Sequence, residues 1–311
     1  MSSFWVFPGQ GAQQAGMLHA LPNDPLVAQC LREASDALNE NVLDLDTPAA
    51  LQSTRAVQLC LLIAGVACSR LLLAQGNTPD YVAGLSIGAY SAAVMAGALS
   101  FADAVRLVAL RGELMQNAYP KGYGMTALIG LDQATVESLV EKIHSKNTPV
   151  YLANINADNQ FVIAGSDQAM ASIVALAKGQ GAAAAKRLAV SVPSHCELLR
   201  EPAQTLAQAL ADVSVQFPTL KYLSGSTARP IFSADKLRDD LAFNMCRVID
   251  WRSTVQTAYE RGARLQIELP PGTVLTGLAR KVFEQGSAVA FQGARLDTLS
   301  ALSQEEERRH P

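Results

Sequence analysis

The 311-residue sequence has few charged residues and little net charge: 17% are Asp, Glu, Lys or Arg, and the formal net charge is -3. So small a net charge gives no field that would gather nucleic acid or anionic lipid, and we expect neither nucleic acid nor a membrane as a partner. Residues 1–8 contain no basic segment followed by an apolar run, so no signal peptide is predicted. We expect a cytoplasmic protein.

Cysteine and histidine are also scarce. The five cysteines form an odd, scattered set without a Cys-x-x-Cys pair, which predicts free thiols in a reducing compartment and no disulfide framework. A metal site needs several His, Cys or carboxylate ligands that converge, and the four histidines are far apart in the sequence. We therefore predict no bound metal.

Hydrophobic residues make up 49% of the chain, enough for a sizeable buried core. The most apolar stretch, residues 57–74, contains Gln58, Gly65, Ser69 and Arg70, so we expect a buried helix and not a membrane span. Short strand-like runs alternate with helical patterns along the chain, which predicts an α/β fold.

The middle of the chain has a distinct predicted order of strands and helices. Between residues 125 and 191 the predicted elements are strand, helix, strand, strand, helix, strand, which is the order of a ferredoxin-like unit. We expect residues 1–124 and 192–311 to form one large α/β domain, into which residues 125–191 are inserted as a smaller domain.

The segment Gly84-Leu85-Ser86-Ile87-Gly88 follows a predicted buried strand and precedes an alanine-rich helical stretch. A serine between two glycines at such a junction is typical of a nucleophile elbow, because small neighbours permit the sharp turn. The amide of Ile87 would lie at a helix N-terminus, where it can donate to an oxyanion. The alternative is a glycine-rich turn whose serine has no catalytic role.

A nucleophilic serine needs a base, and His195 is the histidine that best suits this role. It lies where the smaller predicted domain returns to the larger one, a junction at which a cleft would form. His144 ends a helix with a surface pattern, His19 lies in a loop, and His310 is in the charged tail. No aspartate is identified by its spacing as a triad acid, so the group that orients the base stays open.

Other polar residues have two interpretations each. Gln10, in a glycine-containing loop after the first strand, suits either a second oxyanion amide or a tight turn. Arg111, in an apolar helical pattern, suits either a solvated face or a fork for a carboxylate. Asn154, Asn156 and Gln160, near predicted strand ends, suit either a cleft or a hairpin loop.

Short motifs follow one another along nearly the whole chain. They are residues 7–13 (Phe-Pro-Gly-Gln-Gly-Ala-Gln), 84–88, 110–116 (Leu-Arg-Gly-Glu-Leu-Met-Gln), 190–195 and 268–278. In this order they resemble the malonyl-CoA:acyl carrier protein transacylase family. The resemblance implies a hydrolase-like parallel-sheet core with an inserted ferredoxin-like domain. It also implies malonyl-CoA as substrate, an acyl carrier protein as partner and no tightly bound cofactor.

The resemblance implies a role for each matching residue. Ser86 corresponds to the nucleophile that accepts the acyl group, and His195 to its base. Arg111 corresponds to the arginine that binds the free carboxylate of malonate. Gln10 and Ile87 correspond to the two residues whose backbone amides form the oxyanion hole.

Further roles follow from the same resemblance. Gln58 corresponds to a glutamine near the acyl group, and Asn154, Asn156 and Gln160 to a substrate-binding segment beside the coenzyme. The base is oriented in this family by a main-chain carbonyl, which the resemblance assigns to Asp250.

Two departures from the family pattern flank the serine. Leu85 and Ala89 replace a histidine and a glutamate, as in the malonyltransferase subunit of bacterial malonate decarboxylase. That likeness implies a carrier with a phosphoribosyl-dephospho-CoA arm, together with other malonate decarboxylase subunits, as partners. The alternatives are a transacylase of fatty acid or polyketide synthesis, a serine thioesterase or esterase, and a carrier-binding subunit without catalysis.

Overall fold

The structure is a computed structural model and describes residues 2–309. The strands, in chain order, are β1 (Ser2–Phe7), β2 (Tyr81–Gly84), β3 (Tyr123–Ile129), β4 (Val150–Ala157), β5 (Gln160–Ser166), β6 (Ala184–Arg187), β7 (Lys221–Leu223), β8 (Pro230–Ile231), β9 (Ile249–Asp250), β10 (Ala263–Glu268) and β11 (Ser287–Ala290). The α-helices are α1 (Pro25–Leu38), α2 (Thr54–Ala74), α3 (Gly88–Met95), α4 (Phe101–Ala118), α5 (Gln133–Ile143), α6 (Asp167–Gly179), α7 (Arg200–Ala211), α8 (Ala234–Phe243), α9 (Trp251–Glu260), α10 (Val274–Ala279) and α11 (Leu296–Arg309).

The larger sheet has the strand order β11-β10-β1-β2-β7-β8. Its strands are parallel except β8, which pairs antiparallel with β7. The central strand is fully enclosed, because Phe4, Trp5 and Val6 have no exposed surface. Since the carboxyl ends of parallel strands meet at one edge of a sheet, the loops after Phe7 and Gly84 lie side by side.

The smaller sheet has the order β6-β3-β5-β4-β9. The first four strands in this order belong to the unit β3-α5-β4-β5-α6-β6. They pair antiparallel, as in a ferredoxin-like fold. The fifth strand, β9, comes from later in the chain and pairs parallel with β4 through Asn154 and Ile155. The predicted α/β class is confirmed, whereas the predicted domain limits 125 and 191 stay a prediction.

Helix α2 is the one helix within residues 2–309 that is long and apolar enough to cross a membrane. Its most apolar window has a mean hydropathy of 2.0, and 89% of that window is buried inside the protein. It packs against α1, α3 and α4. The helix is therefore part of the core, as the polar interruptions in its sequence predict.

Helix α4, which contains Arg111, crosses α2 at a short distance. The helix begins after Ser100, whose hydroxyl accepts from the amide of Asp103 and so caps the helix N-terminus. A Cβ on Gly112 would lie 2.4 Å from Cα of Arg55, so only glycine permits so close a crossing of the two helices. This crossing places Arg111 beside Gln58.

Candidate active site

Ser86 occupies a strained turn between β2 and α3. Its φ of 57° lies in the left-handed region, which is unfavourable for a residue with a side chain. A Cβ on Gly84 would lie 1.8 Å from the carbonyl carbon of Gly88, and a Cβ on Gly88 would lie 2.2 Å from the carbonyl oxygen of Phe7. Both glycines are thus required by the backbone, and the turn has the geometry of a nucleophile elbow.

His195 is buried and held through its backbone and its ring. Its φ is 64°, its amide donates to Met245 O at 2.7 Å, and its Nδ1 lies 2.7 Å from Asn244 O. A carbonyl can only accept, so Nδ1 carries the proton and Nε2 keeps the lone pair that a base needs. Burial lowers the pKa of His195 to about 4, and the nearby Arg111 cation acts in the same direction. The imidazole is therefore neutral at physiological pH.

The prediction that the Asp250 carbonyl orients the base is wrong. Asp250 lies in β9, where its carbonyl accepts from the Thr254 hydroxyl at 2.8 Å and its side chain caps α9. The carbonyl that accepts from His195 belongs to Asn244, in the 3₁₀ turn Asn244–Cys246 that follows α8. Nothing in the sequence marks Asn244, because a main-chain carbonyl has no residue type.

Arg111 is fully buried, which excludes the solvated-face interpretation. Its guanidinium donates from Nη1 to Gln58 Oε1 at 2.7 Å, and from Nη2 to Asn244 Oδ1 at 3.0 Å and to Ser86 Oγ at 3.3 Å. Burial lowers the pKa of Arg111 to about 10, so the group is still a cation at neutral pH. Among the side chains that the structure describes, no carboxylate pairs with it.

The amides of Gln10 and Ile87 are available as donors. Among the hydrogen bonds of residues 2–309, neither backbone N–H has an acceptor, although Ile87 is fully buried. The two segments lie together because Leu85 N–H donates to Phe7 O at 2.9 Å. Gln10 Oε1 also accepts from Gln58 Nε2 at 3.2 Å, so one chain of hydrogen bonds joins Gln10 to Arg111. The pair suits an oxyanion hole beside Ser86.

The link between Ser86 and His195 is indirect. Within residues 2–309 no hydrogen bond joins Ser86 Oγ to the imidazole, and the hydroxyl accepts from Arg111 instead. Asn244 connects the two residues, because its Nδ2 donates to Ser86 O at 3.3 Å while its carbonyl accepts from His195. Sequence reasoning missed Asn244.

Three predicted substrate-binding residues lie outside this hydrogen-bond network. Asn154 is buried in β4 beside β9, and Gln160 opposes Ile129 of β3. Asn156 lines a cleft of about 660 Å³ between the β4–β5 hairpin and α9, and neither Ser86 nor His195 lines it. The Oδ1 atoms of Asn154 and Asn156 are buried without a hydrogen-bond partner. Their role at the coenzyme stays a prediction.

His19 and His144 have local partners. His19 Nδ1 lies 2.9 Å from Asp46 Oδ1, and His144 Nδ1 lies 2.9 Å from Val150 O. His310 lies outside the described residues. In the part of the chain that the structure describes, no group of three or more His, Cys, Asp or Glu side chains is placed to hold a metal ion.

Comparison with known proteins identifies the family. A family model described as "Acyl transferase domain" matches residues 4–305. The chain belongs to this family. The acyl transferase is 39% identical over 293 residues to the malonyl CoA-acyl carrier protein transacylase of Salmonella typhimurium, covering 92% of this chain and 94% of that protein. It is 32% identical over 308 residues to the protein of the same name from Bacillus subtilis (strain 168), covering 97% of each chain.

Solved structures agree with the fold of the acyl transferase. The malonyl CoA-acyl carrier protein transacylase from Coxiella burnetii has a TM-score of 0.92 and 36% identity, with 98% of both chains covered. A malonyl-transacylase in complex with its type II PKS acyl-carrier protein has a TM-score of 0.91 and 36% identity, with 98% of this chain and 100% of that chain covered. These likenesses confirm an α/β fold with two subdomains.

Proposed function

We propose that the protein is a malonyltransferase, which moves a malonyl group from malonyl-CoA to Ser86 and then to the thiol of an acyl carrier protein. The observation that carries this proposal is the buried Arg111 guanidinium, 3.3 Å from Ser86 Oγ and bonded only to neutral groups. A buried, unpaired cation beside a nucleophile suits an acyl group that ends in a carboxylate. The names of relatives at 39% and 32% identity support the same acyl group.

In the first half-reaction, His195 Nε2 takes the proton of Ser86 Oγ as Oγ attacks the thioester carbonyl of malonyl-CoA. The amides of Gln10 and Ile87 donate to the oxyanion, and each such donor contributes about 3 kcal/mol. The carbon–sulfur bond then breaks, and the CoA thiolate takes the proton from His195. The malonyl group remains on Ser86 as an ester. In the second half-reaction the carrier thiol gives its proton to His195 and attacks the ester carbonyl, and His195 returns the proton to Ser86 Oγ as the carbon–oxygen bond breaks.

Arg111 also controls the state of the nucleophile. Its Nη2 donates to Ser86 Oγ at 3.3 Å, so the guanidinium and not the imidazole holds the hydroxyl. A carboxylate is a stronger acceptor than a hydroxyl, so a malonyl group would draw Nη2 away from Oγ. The hydroxyl is then left to donate to His195. Binding of the acid thus assembles the serine–histidine pair.

The remaining residues position the substrate. Gln58 fixes Arg111 through its Oε1 and Gln10 through its Nε2. Asn154, Asn156 and Gln160 contact the coenzyme in this proposal, which is supported by the buried, unpartnered Oδ1 atoms of the two asparagines. CoA acts as substrate and product, and no tightly bound cofactor is needed. The proposed location is the cytoplasm, supported by five buried cysteines that are all free.

The acceptor is an acyl carrier protein of fatty acid or polyketide synthesis, as the names of the relatives suggest. A second candidate is the malonate decarboxylase carrier, with the other subunits of that complex as partners. It is favoured by one observation, the replacement of the usual histidine and glutamate by Leu85 and Ala89. Both candidates use the same chemistry at Ser86.

The experiment that tests the function is malonyl transfer from malonyl-CoA to two purified carriers, one with a phosphopantetheine arm and one with a phosphoribosyl-dephospho-CoA arm. Intact mass spectrometry of each carrier measures the product, and Ser86→Ala is the control. The wild type should acylate the first carrier faster, and Ser86→Ala should acylate neither. Fast CoA release without any carrier would identify a thioesterase, and no reaction with either carrier would contradict the proposal.

A further inference from the structure

The side chain of Asn244 has a role in the site separate from that of its carbonyl. The residue is 3% exposed, and both ends of its amide are used. Its Oδ1 accepts from Arg111 Nη2 at 3.0 Å, and its Nδ2 donates to Ser86 O at 3.3 Å. The partners fix this orientation, because a guanidinium only donates and a carbonyl only accepts.

We propose that the Asn244 amide is a positioning residue that sets the malonyl preference: it orients Arg111 against the serine elbow without neutralising its charge. This inference rests on the proposed function, since it concerns how the same site selects a carboxylated acyl group. Asn244 is the one residue hydrogen-bonded to Ser86, Arg111 and His195 among those that the structure describes.

The neutral amide of Asn244 leaves the charge of Arg111 uncompensated. All acceptors of the Arg111 guanidinium are uncharged, namely Gln58 Oε1, Asn244 Oδ1 and Ser86 Oγ. A carboxylate at residue 244 would have the same shape but would form a permanent buried ion pair with Arg111. The malonyl carboxylate would then compete with an internal counter-ion for the same donors.

The donor end of the amide holds the serine elbow. Ser86 has a φ of 57°, and its carbonyl accepts from Asn244 Nδ2 as well as from the amide of Ala89. A carboxylate has no donor at this position and would face the Ser86 carbonyl oxygen repulsively. Only an amide can hold the guanidinium with one end and the elbow with the other.

Asn244 is itself fixed by the core. Its backbone N–H donates to Asp240 O at the end of α8. The buried Asp240 carboxyl accepts from Tyr222 OH at 2.7 Å and from Ser224 Oγ at 2.5 Å, which ties α8 to the end of β7. The position of the amide is therefore set by the sheet and not by the substrate, as a preorganised site requires.

The test compares malonyl and acetyl transfer by the wild type and by Asn244→Asp. The variant should lower the malonyl-to-acetyl ratio of kcat/KM by about 100-fold, the effect of two charge-assisted hydrogen bonds on the acid substrate alone. The loss should lie mainly in KM for malonyl-CoA. A merely structural role would slow both substrates equally, and that result would overturn the inference.

Two further variants keep the test decisive. Asn77→Asp changes another buried asparagine, which precedes β2, whereas Ser86 follows the opposite end of that strand. Its Nδ2 donates to Leu72 O at 3.0 Å and to Ser300 Oγ at 2.9 Å, neither of which belongs to the site, so this variant should leave the ratio unchanged. Asn244→Ala introduces no charge and should lower the ratio less than Asn244→Asp does. If Asn244→Asp fails to fold by circular dichroism, an unchanged ratio in Asn244→Ala overturns the inference. If the wild type transfers no malonyl group, the proposed function fails instead.

Discussion

Replacing Arg111 with alanine should remove the preference of the enzyme for malonyl over acetyl groups. In the wild type the guanidinium is fully buried and donates to three neutral acceptors around Ser86. A malonyl group places a carboxylate against this cation, whereas an acetyl group leaves the cation buried and unpaired. Arg111 should therefore raise kcat/KM for malonyl-CoA and lower kcat/KM for acetyl-CoA.

The magnitude follows from the burial of the charge. Burial lowers the pKa of Arg111 from 12.5 to about 10. At about 1.4 kcal/mol for each pKa unit, holding the cation in this site costs about 3 kcal/mol. A paired carboxylate offsets this cost, so Arg111→Ala should lower the malonyl-to-acetyl ratio of kcat/KM by about 100-fold.

The assay is transfer to one carrier from malonyl-CoA and from acetyl-CoA, each at several concentrations, followed by mass spectrometry. Arg106→Ala is the matched control, because Arg106 lies on the same helix with its side chain 57% exposed and paired with Asp103. It should change neither rate. An equal loss on both substrates in Arg111→Ala would show a structural role and refute the carboxylate clamp.

Two further predictions concern His195 and the serine elbow. Burial lowers the pKa of His195 from 6.5 in the unfolded chain to about 4 in the folded protein, so the unfolded chain binds the proton more readily. The neutral, buried imidazole therefore contributes stability that is fully present above pH 6.5 and is lost as the pH falls towards 4. Between pH 8 and pH 5 the free energy of unfolding should fall by about 2 kcal/mol more in the wild type than in His195→Gln, measured by urea unfolding; equal falls would contradict the assignment. Gly84→Ala should abolish transfer and lower the melting temperature, since its Cβ would lie 1.8 Å from Gly88, whereas Gly179→Ala, whose Cβ has nothing within 4 Å, should not lower it. A Gly84→Ala protein with wild-type melting and transfer would be inconsistent with the elbow.

The sequence predicts those parts of the site in which the backbone or the chemistry requires a particular residue type at a particular spacing. The elbow is predicted because only glycine fits at 84 and 88, and the structure shows backbone atoms filling both places. The ferredoxin-like unit is predicted because its strands and helices alternate with clear periodicity. Arg111 stayed ambiguous, because an arginine in an apolar helix has the same pattern whether its face meets solvent or another helix.

The parts that the sequence does not predict depend on main-chain atoms and on distant pairing. The carbonyl that orients His195 belongs to Asn244 and not to Asp250, and any residue type could supply it. Strand β9 has two residues, too few for an alternating pattern, and it exists only because it pairs with Asn154 and Ile155 of β4. The side-chain contacts of Asn244 depend on the meeting of three segments that are far apart in sequence.

The most direct measurement of the central claim is the position of the malonyl group on the enzyme. The wild type should be mixed with malonyl-CoA alone, quenched in acid, digested and analysed by peptide mass spectrometry. We expect a malonyl ester on Ser86, which is absent from Ser86→Ala and is discharged when a carrier thiol is added before the quench. A malonyl group on any other residue, or one that persists in Ser86→Ala, would contradict it.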